Sequence, residues 1–135
     1  MKTCGIVLKG NEAIIVCLVG DASRYHLIAS DTKKIPLMDA YDQKEVQIFQ
    51  QKILDFLSLH GIDQVAIKER ATKGKFAGGS VSFKMEALIQ NCPVPVSIVH
   101  GLTIKAKLKT MQPLPEMKLN TYQKDAFDLA VFLLL

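Results

Sequence analysis

Asp125 and Asp128 are the two residues of this chain best spaced to do chemistry together. Three positions apart on a helix, they share a face with Cβ atoms about 5–6 Å apart, close enough for two carboxylates to hold one divalent cation. Phe132 falls on the same face, so the pair lies at the edge of an otherwise buried surface. That is costly for acids that lack a metal, a cation or water. The plainer alternative is two solvated acids in the first turn of a helix, where negative charge is favoured.

A second candidate is the glycine- and lysine-rich stretch between residues 67 and 80, in which Lys73, Lys75, Gly78, Gly79 and Ser80 stand between a strand pattern and a helix pattern. Glycines let backbone approach a ligand, a helix start presents free N–H groups, and the lysines add positive charge, so a phosphate or nucleic-acid backbone fits there. The stretch has neither the GxxxxGK[ST] nor the GxGxxG spacing. Its alternative is a connector whose glycines serve helix–sheet packing. Lys105, Lys107 and Lys109 can likewise meet nucleic-acid phosphates or form a solvated charged face. His26, His60 and His100 show no metal-ligand spacing and suit surface or capping roles. Ser80 and Ser82 lack the setting of a nucleophile. Cys4, Cys17 and Cys92 are odd in number and without CxxC spacing, which points to buried thiols rather than zinc or a disulfide framework.

These residues need a scaffold. Thr3–Lys9 and Glu12–Val19 are β-branched runs around Gly10-Asn11, the chemistry of a two-residue hairpin; Arg24–Ser30 continues it as a third antiparallel strand. Asp42 with Glu45 starts a helix over about 43–60, which Gly61 ends. Ile62–Lys68 is a fourth strand, Ser80–Asn91 a helix, Val96–Val99 a fifth strand parallel to the fourth, and Leu102–Thr110 a short basic helix. Asn120 with Gln123 caps a final helix running toward Leu135. The result is an α/β chain with a mixed five-stranded sheet, three antiparallel strands and then parallel βα units, flanked by helices.

At 135 residues, 49% hydrophobic and 22% charged, the chain suits one domain over residues 1–135 and excludes a disordered chain or a disulfide miniprotein. The apolar runs 14–19 and 126–135 fall short of the ~20 residues that cross a bilayer. No secretory pattern follows Met1-Lys2, so a cytoplasmic, non-membrane protein is expected. A net charge of +4 suits a polyanionic partner, DNA or RNA. The all-round apolar end Val131–Leu135 exceeds what one sheet face needs and suggests a homodimer.

Cys4-Gly5-Ile6-Val7, Val65-Ala66-Ile67-Lys68, Thr103-Ile104-Lys105 and Asp125-Ala126-Phe127-Asp128-Leu129-Ala130 occur in the order seen in RuvC-type Holliday junction resolvases, which the chain resembles along its whole length. Ile67-Lys68-Glu69-Arg70, the stretch 73–79 and Val81–Ala87 look similar to a small bacterial family of unknown function with the same ribonuclease H-like fold. The resolvase resemblance implies a nuclease using Mg²⁺ or Mn²⁺, with one acid from the first strand, one from the fourth and two from the last helix. Here only Asp125 and Asp128 carry over. Val7 stands at the first-strand acid and Lys68 at the fourth-strand glutamate.

A lysine among carboxylates supplies the charge a metal would bring, so Lys68 is expected to pair with Asp125 or Asp128. Glu69 replaces the missing glutamate only if the strand ends or bulges there, because neighbouring strand residues point to opposite faces. The expected function is a catalytically degenerate ribonuclease H-like domain that binds nucleic acid. The alternatives are a metal-dependent nuclease built on Asp125, Asp128 and Glu69, and a protein-interaction module.

Overall fold

The structure is a computed structural model and describes residues 1–70, 79–111 and 117–135. Gly10 takes a φ of 61° while Asn11 keeps a negative φ, the type II′ arrangement whose twist suits a tight hairpin. It joins β1 (Lys2–Lys9) to β2 (Glu12–Gly20) in antiparallel register, from Lys9 opposite Glu12 to Lys2 opposite Val19. The next turn is tied by Asp21, which accepts from the Ser23 hydroxyl and from the Arg24 and Ser23 amides; those bonds, the hydroxyl first, hold its carboxyl below the ordinary range.

β3 (Tyr25–Leu27) completes the expected meander, shorter than the Arg24–Ser30 run suggested. β4 (Lys34–Pro36) pairs with the opposite end of β2, so the described residues form six strands rather than the five expected. Three residues ending in proline carry no readable alternation. Ile35 is in a strand because it lies opposite Ala13 and is buried there.

α1 (Gln43–Leu59) starts at Asp42, whose carboxylate accepts from the Lys44 amide at 2.9 Å, and buries Phe49, Ile53, Phe56 and Leu57. Gly61 turns the chain out at φ 60°. β5 (Gln64–Lys68) pairs parallel with β1, and β6 (Val96–Val99) parallel with β5. α2 (Ser80–Gln90) links them, and α3 (Gly101–Leu108) follows β6. A 3₁₀ turn, Thr121–Gln123, with the expected Asn120–Gln123 capping box, leads into α4 (Lys124–Leu134). The path through the sheet is β3-β2-β1-β5-β6.

The two sheet faces have different coverings. Cys4, Ile6 and Leu8 of β1, Ile15 and Cys17 of β2, and Val65 and Ile67 of β5 face α1 and α2, packing on Phe49, Ile53, Met85 and Ile89. Ile14, Val16 and Leu18 of β2 and Ala66 of β5 face α4. Phe132 and Leu133 pack with Val99 and Ile104, and Leu134 packs beside Val131, so the apolar surplus of the C-terminal helix is taken up largely within the chain. Among the described residues no helix is long and apolar enough to cross a membrane.

Candidate functional site

α4 lies unusually close to β1, and Gly5 is the reason. A Cβ at Gly5 would collide with the Ala126 carbonyl oxygen and stand only 2.8 Å from the Ala130 amide nitrogen and 2.9 Å from Leu129 Cβ. A glycine inside a strand often marks such an approach, a signal present in the sequence that the reading above did not use. Two residues away, the buried Thr3 hydroxyl donates to the Ala130 carbonyl at 2.9 Å. Together they seat α4 along β1, with its first turn at the carboxyl ends of the parallel strands β1 and β5, the edge where open α/β sheets gather functional side chains.

β1 and β5 pair as far as Ile6 with Ile67, so the next step of the register sets Val7 beside Lys68 on the α4 face. Lys68 then reaches Asp125, with Nζ 3.3 Å from Oδ2. Asp128 has a cation of its own: Lys124, one helical turn earlier, donates to its Oδ1 at 2.9 Å. Each aspartate is thus matched by one ammonium. Lys124 was missing from the sequence reading, although its i,i+4 spacing to Asp128 was sufficient to find it. Behind Asp128 sits Tyr25, whose buried hydroxyl has no hydrogen-bond partner among the described residues and whose ring packs 6.3 Å from that of Phe127. Burial, then the charge of Asp128, pushes its phenol above the ordinary range.

Glu69 goes elsewhere. It is exposed, its amide donates to the Val99 carbonyl at 2.9 Å, and its charge acts on Glu86 of α2. Burial raises the Glu86 carboxyl above the ordinary range, Arg70 opposes the shift, and Glu69 adds to it. Lys68 and Glu69, adjacent in sequence, therefore serve opposite faces of the sheet, as strand alternation requires. The donor set does not fit a two-metal centre: among the described residues no three His, Cys, Asp or Glu side chains converge, and the side chains nearest the aspartates from β1 and β5 are Val7 and the ammonium of Lys68.

Of the expected anion-binding stretch, Lys73, Lys75 and Gly78 lie outside the described residues. Gly79 caps α2, with no described residue within 4 Å of where its Cβ would stand, and Ser80 is the exposed first residue of the helix. Lys105 and Lys107 project from α3, whose Ile104 and Leu108 pack toward α4. Lys107 Nζ lies 5.2 Å from the Phe132 ring centroid. His100 caps α3, its Nδ1 accepting from the Leu102 amide at 3.1 Å. His60 ends α1 with its ring 4.6 Å from that of Phe56. Both histidines have the local roles expected of them.

The model of a family described as "Protein of unknown function (DUF3010)" matches residues 1–133. No curated protein matches the chain. Among solved structures, RuvC of Thermus thermophilus superposes with a TM-score of 0.72 at 13% identity, covering 97% of this chain and 92% of that one. The same protein in complex with a Holliday junction substrate gives 0.68 at 14% identity, with 97% and 90% covered. The fowlpox virus Holliday junction resolvase gives 0.52 at 13% identity, with 99% and 98% covered. At these identities the likeness is one of fold, and the fold is ribonuclease H-like.

Proposed function

The chain belongs to the DUF3010 family of proteins of unknown function, and from that starting point we propose that it is a catalytically degenerate, RuvC-like domain that binds nucleic acid without cutting it. The observation that carries this reading is the ammonium of Lys68 against Asp125. It brings one positive charge to a position where a metal-dependent nuclease needs a ligand of the opposite sign. With Lys124 on Asp128, the acidic pair is neutralised by the chain's own side chains.

Binding would follow the α3 side of this edge. Lys105 and Lys107 are exposed there, the net charge is +4, and the start of α2 at Gly79 and Ser80, with Lys73, Lys75 and Gly78 before it, would add backbone N–H groups and positive charge. RuvC of Thermus thermophilus, similar in fold, has been seen on a Holliday junction, which makes branched DNA the first ligand to try.

Fluorescence anisotropy with a labelled four-way junction, a duplex and single strands of DNA and RNA tests the reading. Binding that weakens steeply with salt is expected, with all substrates intact after incubation in Mg²⁺ or Mn²⁺. Lys105→Glu is expected to weaken binding and lower the salt slope by about one. Divalent-dependent cleavage lost in Asp125→Asn would replace the degenerate reading with a nuclease. Absence of binding at low salt would leave a protein-interaction module.

A further inference from the structure

The three cysteines, at positions 4, 17 and 92, are dispersed in the sequence but are gathered around one core, Cys4 and Cys17 inside it and Cys92 packed against it. Cys4 and Cys17 stand directly opposite each other across β1 and β2. Their kind of pairing follows from the hairpin. Met1 and Gly20 exchange both backbone hydrogen bonds, Gly20 N to Met1 O at 2.9 Å and the Met1 ammonium to Gly20 O at 3.2 Å. Hydrogen-bonded and non-hydrogen-bonded pairs alternate along an antiparallel ladder. Stepping inward, Thr3–Leu18 is hydrogen-bonded and Cys4–Cys17 is not. Consistently, the Cys17 carbonyl is turned outward and accepts from Ile28 N at 2.9 Å.

In non-hydrogen-bonded pairs the Cα atoms are about 4.5 Å apart, inside the ~4.4–6.8 Å range that a disulfide spans. Both side chains enter the core beneath α1 and α2, and both thiols are buried there. Cys92, just after α2, packs against the same core but is partly exposed, with its thiol donating to the Val94 carbonyl at 3.4 Å. Cys4 also feels the charge of Cys92.

We infer that Cys4 and Cys17 are an oxidisable dithiol that closes to a cross-strand disulfide, with Cys92 as the thiol through which a peroxide enters. The Cys92 thiolate attacks one peroxide oxygen; the S–O bond forms, the O–O bond breaks, and the departing hydroxide takes up a proton to become water. The Cys4 sulfur displaces hydroxide from that sulfenic acid, its own proton leaving with the hydroxide as a second water. Cys17 then attacks Cys4 of the Cys4–Cys92 disulfide, and Cys92 leaves as a thiolate that recovers the Cys17 proton. The sum is two thiols and hydrogen peroxide giving one disulfide and two waters. Burial, the largest influence, holds the Cys4 thiol well above the ordinary range, so it is a poor first nucleophile, whereas the partly exposed Cys92 can meet the oxidant.

The folded protein is treated with hydrogen peroxide, unfolded in N-ethylmaleimide and digested with trypsin without reduction. The expected product joins the peptide spanning residues 3–9 to that spanning 10–24, lighter than their sum by two hydrogens. Cys92→Ser is expected to slow its appearance about tenfold or more, and Cys17→Ala to leave 3–9 joined to 85–105 instead. Alkylation of Cys4 and Cys17 in oxidised wild-type protein, with oxygen added only to Cys92, would overturn the dithiol. An unchanged rate in Cys92→Ser would overturn the entry route.

Discussion

The two faces of the sheet are closed by opposite means. Toward α1 and α2, large side chains fill the space: Phe49, Ile53, Met85 and Ile89 interleave with Cys4, Ile6 and Ile67. Toward α4, the fit depends on a missing side chain, Gly5, which lets helix backbone rest on strand backbone. The first face is a core throughout. The second is apolar around Ala126 and Ala130 and becomes charged at its open end, where Lys68 meets Asp125. The charged side chains gather where a close helix meets an unfilled strand end, not where packing is densest.

The largest effect should come from Phe49→Ala, which empties the filled face and should cost about 3–5 kcal/mol in urea unfolding. A loss below about 1 kcal/mol would mean that α1 is not packed as tightly as its buried residues indicate. Gly5→Ala tests the other principle by adding one methyl against backbone that cannot yield without moving the helix. About 1–3 kcal/mol should be lost, with the amide resonances of residues 125–130 shifting and those of α1 unaffected. An equal disturbance of both helices would erase the distinction between the faces.

The smallest effect belongs to the charged end. The side chains of Lys68 and Asp125 are 38% and 58% exposed, so Lys68→Met should change stability by no more than about 1 kcal/mol. A cost well above that would make the ion pair a structural clasp between β5 and α4. A small cost would be that of an exposed ion pair, as expected on the proposed binding role.

Much of this was legible in the residue order. Gly10-Asn11, Asp42, Gly61 and Asn120–Gln123 mark turns and helix ends by local chemistry, because a positive φ or an unpaired amide is satisfied by residues within a few positions. The β-branched runs Thr3–Lys9 and Glu12–Val19 marked the first two strands, and the acidic pair and the lysine at position 68 were recognised from the sequence. β4 was not, since Ile35 is a strand residue only by virtue of Ala13 across the ladder.

The tertiary structure alone decided the strand order, the choice of Asp125 as the partner of Lys68, the divergence of Glu69 toward Glu86, and the gathering of three scattered cysteines around one core. Local chemistry reaches a few residues along the chain. These contacts join positions well separated along the chain; the Lys68–Asp125 pair, for one, needs both the β1–β5 pairing and the close approach of α4 that Gly5 admits.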